Sequence, residues 1–169
     1  VQFVDVLMVA GEYQTKPPLP FIPGGEGAGT VIAVGAGVAA FKEGDAVMTR
    51  HPPGAYAEMA TIGADTALPV PVGLSLEQAA GFRSAYTTAY HALVQRGCLQ
   101  PGEVLLVHGA AGGIGLAAVQ VGKILGATVI ATAGSDEKLE VVAANGADHT
   151  INYSNGFRDR VKELTDGRG

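Results

Sequence analysis

The chain has 169 residues, 47% of them hydrophobic, and 16 acidic against 11 basic side chains give a formal net charge of -5. That balance, with no basic run anywhere, excludes the phosphate-binding face that nucleic-acid recognition needs, and the apolar content excludes a disordered chain. A single cysteine, Cys98, permits neither an intrachain disulfide nor a cysteine-histidine metal cluster, which fits a reducing, cytoplasmic setting.

In chain order, the opening VQFVDVLMVAGEY lacks the layout of a targeting peptide and reads as the middle of a domain. It is apolar, with an acid at Asp5 and a break at Gly11, and suits a strand or a short helix equally. Residues 16–25, KPPLPFIPGG, are too proline-rich for regular structure and predict an extended segment. A strand and tight turn are expected over 27–37. A turn at Glu43, Gly44 and Asp45 then feeds a strand to residue 50, and a third strand is expected over 55–61. Residues 67–72 read as a proline-punctuated link. Short strands with frequent turns predict a small β-barrel or sandwich for residues 1–74.

The composition changes at Ser75, which is placed to cap a helix carrying Glu77 and Gln78 in its first turn. A second helix is expected over 84–96, and Gln100-Pro101-Gly102 is a turn, so residues 75–101 form a helical connection. Residues 102–169 alternate strand and helix three times. The strands fall at 104–107, 128–132 and 149–152, and the helices after 112, over 136–145 and over 157–165. Such a series predicts the first half of a parallel, doubly wound sheet.

The informative stretch is EVLLVHGAAGGIGLAAVQVGKILGATVIATAGSDEK, residues 103–138. Ala110, Gly112 and Gly115 occupy the three positions of a G-x-G-x-x-G pattern between a strand and a helix. In that context Gly112 lets backbone approach a pyrophosphate and Gly115 lets the helix sit close on the strand. The phosphates would lie on backbone N–H groups at the helix start, where the dipole favours an anion. Residues 104–122 lack Asp, Glu, Lys and Arg and hold Gly109 and Gly113 in a GxxxG spacing, as a membrane helix could. The central glycines, His108, Gln120 and the lack of aromatic or basic anchors at the ends argue against that reading.

The opening segment through residue 38, the AYTTAYHAL helix, PGEVLLVHGAAGGIGLAAVQ and GADHTINY together resemble the zinc-independent quinone oxidoreductases. These are the zeta-crystallin-like branch of the medium-chain dehydrogenases/reductases. The resemblance implies an α/β chain: part of a GroES-like catalytic domain, followed by the first half of a Rossmann nucleotide-binding domain. It implies an incomplete chain, inactive alone, from a homodimeric enzyme that transfers hydride from NADPH to a quinone or α,β-unsaturated carbonyl. Two other readings remain open, an acyl-CoA or alkenal reductase on the same scaffold and a crystallin-like protein that binds NADPH without turnover.

By the same resemblance, Gly25 stands where zinc-dependent relatives carry a metal-binding histidine, beside Glu26, and the four-cysteine zinc lobe is missing. No metal is therefore expected. The expected cofactor-binding residues are Thr88, Ala111, Gly112, Gly113, Ile114, Gly115, Gly134, Ser135, Lys138 and Tyr153. Ala133, Gly134 and Ser135 stand where an NAD site wants an acid for the ribose 2′-OH, so a 2′-phosphate is favoured; Asp136 is the one acid close by. Without the resemblance, Lys138 reads as a solvated helix charge and Tyr153 as an edge aromatic. Gln2 and Leu7 are expected in the substrate pocket, where the family usually has Asn and often Tyr. His51, His91, His108 and His149 form no triad spacing, and no acid or base residue is assigned.

Overall fold

The computed structural model describes residues 1–50 and 54–168. His51 lies outside them. The chain divides into two compact units, Val1–Ser84 and Ala85–Gly169.

The first unit opens on helix α1, Phe3–Val9, which resolves the strand-or-helix ambiguity. The deciding group is Asp5, buried in the first turn, whose Oδ2 accepts the Gln2 N–H at 2.8 Å and so satisfies a donor at the helix start. Strands β1 (Gly27–Thr30), β2 (Ala46–Thr49) and β3 (Ala67–Pro69) then form a three-stranded antiparallel sheet in that order. Among the described residues this sheet stands in place of the expected barrel or sandwich.

The expected strand over 55–61 is absent, and the expected link over 67–72 supplies β3 instead. Both reversals have a physical cause. The N–H groups of Ala55 and Tyr56 are taken by the carbonyls of Gly24 and Pro23, so that segment packs on the proline-rich stretch. Pro69 lacks a donor, but it lies on an edge strand opposite Val47, where none is missed. Helix α2, Leu76–Ala80, is capped as expected. Ser75 Oγ accepts from Gln78 N at 3.2 Å, and Gln78 Oε1 accepts from Ser75 N at 3.0 Å.

Helix α3 spans Phe82–Tyr90 and runs on as a π-helical turn over His91–Arg96, where a single α-helix is expected. The wider turn closes by Gly97 N donating to the Ala92 carbonyl at 2.7 Å. A β-carbon at Gly97 would stand 3.0 Å from that same oxygen.

The second unit continues with β4 (Val104–Val107), α4 (Gly113–Ile124), β5 (Thr128–Ala133), α5 (Asp136–Ala144), β6 (His149–Asn152) and α6 (Arg158–Leu164). The strands pair in parallel in the order β4-β5-β6, with Val107 opposite Ala131 and Ala133 opposite Asn152. Alternate residues of β5 face opposite sides. Val129 and Ala131 pack with Val119 of α4 and Val142 of α5, whereas Ile130 packs with Val161 of α6. Helices thus cover both faces, and β5 reads as a continuous apolar run for that reason. Burying Ile130 completely contributes on the order of 2 kcal/mol.

Glycines end α4 and α5. Gly126 and Gly146 follow the C-caps of α4 and α5 with φ of 80° and 105°, in the left-handed region glycine enters freely. Two residues after Gly146, Asp148 fastens the lead into β6. Its carboxylate accepts Val129 N at 2.7 Å and Lys123 Nζ at 2.6 and 2.8 Å. The Lys123 hydrogen bond holds this carboxyl below its ordinary value of 3.8. A lowered folded-state value means that the stabilisation is present above the unfolded value and is lost as pH falls through the folded one. Asp148→Ala is expected to cost roughly 1–3 kcal/mol at pH 7 and less as pH falls below the ordinary carboxylate range, as denaturant midpoints measured along that range will show.

Candidate nucleotide-binding site

The glycine turn lies at the carboxyl end of β4, beside the carboxyl end of β5. Ala110 N donates to the Thr132 carbonyl at 3.0 Å, which joins the two strand ends, and Gly112 N folds back to Gly109 O at 3.0 Å. Gly112 is the N-cap of α4 in extended conformation, with no side-chain cap. The N–H groups of Gly113, Ile114 and Gly115 belong to the first turn and have no carbonyl behind them within the helix. Gly112, Gly113 and Ile114 are exposed, whereas Ala111 and Gly115 are half-buried.

Two glycines are required for different reasons. A β-carbon on Gly115 would lie 2.5 Å from Gly109 O and 2.8 Å from Ala110 Cα, both backbone atoms. On Gly112 it would meet only Gly109 O, at 3.4 Å, which is ordinary contact. Gly115 thus serves the packing of helix on turn, and Gly112 leaves its backbone face exposed.

At the end of β5, Gly134 and Tyr153 come together. A β-carbon at Gly134 would stand 3.0 Å from the Tyr153 hydroxyl, and Ser154 Oγ donates to Gly134 O at 3.3 Å. Tyr153 opens a 3-10 turn, Tyr153–Asn155, immediately after β6. Ser135 is the N-cap of α5, its Oγ accepting from Lys138 N at 3.5 Å. Lys138 itself is exposed and makes no ion pair among the described residues. Asp136, the acid close by, accepts a hydrogen bond from Asn152 Nδ2 at 2.8 Å.

Thr88 is exposed on α3, whose Ala85 and Ala89 pack on Ala117 and Val121 of α4. Gln2 and Leu7 belong to the first unit. The Gln2 amide is engaged, with Nε2 donating to Glu26 Oε1, while Glu26 Oε2 accepts Ser84 N at 2.8 Å. Leu7 is half-buried. The sequence held no local signal for the Gln2–Glu26 bond, which joins residues 24 positions apart. The same holds for Tyr56, whose hydroxyl donates to the buried Asp5 at 2.7 Å. Burial, then the Asp5 hydrogen bond and charge, push the Tyr56 phenol up to about 12.

Two of the histidines, His91 and His108, make side-chain contacts within the second unit. His91 Nδ1 meets Gln95 Oε1 at 2.5 Å; His108 bonds Thr132 Oγ1 at 3.1 Å and stacks edge-on against Phe157 at 4.6 Å. Among the described residues no three His, Cys, Asp or Glu side chains gather as a metal site, and no helix is long and apolar enough to cross a membrane.

Comparison with known proteins adds the following. Residues 1–96 match the family described as alcohol dehydrogenase GroES-like domain, and residues 113–169 match that described as zinc-binding dehydrogenase. The chain is 39% identical over 168 residues to quinone oxidoreductase of Homo sapiens, covering 98% of this chain and 51% of that protein. It is 42% identical over 171 residues to quinone oxidoreductase-like protein 2 of Mus musculus, covering 100% of this chain and 49% of that one. The solved structure of Escherichia coli quinone oxidoreductase complexed with NADPH superposes with a TM-score of 0.90 at 39% identity, covering 99% of this chain and 52% of that chain. The chain therefore spans about half the length of the curated relatives it matches.

Proposed function

We infer the function from family membership: the chain belongs to the alcohol dehydrogenase GroES-like domain family, in the quinone oxidoreductase branch of the medium-chain dehydrogenases/reductases. The protein is an NADPH-dependent oxidoreductase that reduces a quinone or an α,β-unsaturated carbonyl. It works without zinc, as a homodimer in the cytoplasm. The observation that carries this reading is the open backbone face at Gly112–Gly115 set beside the Gly134–Tyr153 contact, at the carboxyl ends of adjacent parallel strands. The solved relative with NADPH bound supports the same cofactor here.

NADPH, when bound, supplies the hydride. The residues of this chain bind and orient. Ala111, Gly112, Gly113, Ile114 and Gly115 offer backbone N–H groups and the positive end of α4 to the pyrophosphate. Gly134 and Ser135 put no carboxylate where the 2′-phosphate would sit, Lys138 meets its charge, and Tyr153 lies against Gly134. Asp136, which would repel that phosphate, is tied to Asn152. Thr88 lies at the nicotinamide end. Gln2, steadied by Glu26, and Leu7 line the substrate pocket. Zinc has no place in this reading, since Gly25 stands where the zinc-dependent relatives carry a metal-binding histidine.

Fluorescence titration with NADPH and NADH tests the reading, with equal affinity for the two counting against it. Lys138→Glu is expected to weaken NADPH by about tenfold or more while leaving NADH nearly unchanged, because one charge-assisted contact to the phosphate is lost and a repulsion is added. Turnover assays with a simple quinone, an alkenal and an enoyl thioester then separate quinone reduction from the rival chemistries. Binding without turnover on all three would favour a non-catalytic role.

A further inference from the structure

In the second unit, three successive helices are joined by one run of polar side chains. The Tyr86 hydroxyl on α3 donates to Gln120 Oε1 on α4. Gln120 Nε2 donates to Asn145 Oδ1, the C-cap residue of α5, at 2.6 Å, and Asn145 Nδ2 closes on the Val141 carbonyl at 2.8 Å. The direction of the run is internally consistent, since each amide accepts on its oxygen and donates from its nitrogen.

The surroundings explain why such a run matters. Helix α3 meets α4 through Ala85, Ala89, Ala117 and Val121, with Gln120 and Tyr86 beside them. Small side chains let helices approach closely but form shallow ridges, so packing alone specifies axial register weakly. A directional polar contact specifies it well, as a lone buried polar position does in a coiled coil. A slip of one turn would carry α3 about 5.4 Å along its neighbour. Thr88 follows Tyr86 by two residues and lies about 200° around the helix, on the other flank of the alanine stripe.

We propose that Tyr86 and Gln120 are positioning residues for cofactor binding: their bond sets the register of α3 on α4, and with it the place of Thr88 relative to the glycine turn that begins α4. This rests on the NADPH reading, in which Thr88 serves the nicotinamide end. The groups proposed to grip the adenosine phosphate, Ser135 and Lys138 at the start of α5 and Tyr153 after β6, are not on α3, and the Gln120–Asn145 bond reaches α5 at its opposite end.

The test compares Tyr86→Phe, Gln120→Met and their double variant in the full-length protein, titrating NADPH and, separately, 2′,5′-ADP, which carries only the adenosine-phosphate half. Loss of the Tyr86–Gln120 hydrogen bond, common to both single variants, is expected to raise the Kd for NADPH roughly five- to tenfold in each. The double variant should be no weaker than the weaker single, and 2′,5′-ADP should bind all of them as it binds the wild type. Combining Tyr86→Phe with Thr88→Val should add little to Thr88→Val alone, because both act on the same contact. Parallel loss of both ligands, unchanged NADPH affinity, or failure of both single variants to fold would overturn the inference and leave the polar run a stability element. Wild-type protein that binds neither ligand would overturn the NADPH reading itself, and the inference with it. Wild-type binding with unaffected variants would overturn the inference alone.

Discussion

Gly115→Ala is expected to destabilise the second unit and abolish measurable NADPH binding, whereas Gly112→Ala is expected to leave the fold intact and weaken NADPH alone. The two glycines sit three residues apart in one turn, but their surroundings differ. A β-carbon at Gly115 would be driven to 2.5 Å from Gly109 O, 2.8 Å from Ala110 Cα and 3.0 Å from the Ala110 carbonyl carbon. No side chain can swing away to relieve this, so the turn must separate from α4. Overpacking of this kind costs roughly 1–3 kcal/mol, and it displaces the backbone N–H groups proposed to hold the pyrophosphate. At Gly112 the corresponding β-carbon keeps 3.4 Å from Gly109 O, and φ is an unstrained -78°. It obstructs only the face a ligand would use. Thermal unfolding paired with NADPH titration separates the cases. Equal stability losses, or a Gly115→Ala protein that binds NADPH normally, would contradict the assignment.

Asp5→Asn is expected to have the second large effect, on the first unit. The Asp5 carboxylate is 5% exposed and accepts from both Gln2 N at 2.8 Å and the Tyr56 hydroxyl at 2.7 Å, joining the start of α1 to the segment after β2. Hydrogen bonds to a charged acceptor contribute about 1.5–3 kcal/mol each, and a neutral amide that cannot accept as strongly from both should lose roughly 2 kcal/mol. The spectrum offers an independent check. Tyr56 is pushed up to about 12 by burial and then by Asp5, so the native fold keeps this phenol neutral beyond the ordinary value of 10.0. Because the folded value is the higher one, its stabilisation is complete below pH 10 and disappears as pH rises through 12. In Asp5→Asn one of the five tyrosines should ionise earlier in an ultraviolet titration, the burial contribution remaining. An unchanged titration would show that Asp5 has no part in holding the phenol.

The contrast between the two units shows what could be read before the structure. In the second unit, local patterns were sufficient. Branched apolar runs marked β4 and β5, and the glycine pattern marked the turn into α4. Each signal acts within a few residues, and each agreed with the parallel sheet it helps build. The first unit depends on pairings between distant segments, so two of its local signals misled. The alternating residues 55–61 had strand character, but Pro23 and Gly24 took their donors. Pro69 argued against a strand, yet an edge position asks nothing of its nitrogen.

The same divide runs through the site. Sequence alone determined the glycine turn, the lack of an acid at Gly134-Ser135, and the α/β class, because backbone conformation and strand-turn-helix order are local properties. Only tertiary structure decided that Tyr153 lies on Gly134, that Asp136 is tied to Asn152, that Glu26 steadies Gln2, and that Tyr86, Gln120 and Asn145 form one polar run. Those contacts join residues 16 to 34 positions apart, where direction and distance come from packing that no spacing in the chain encodes.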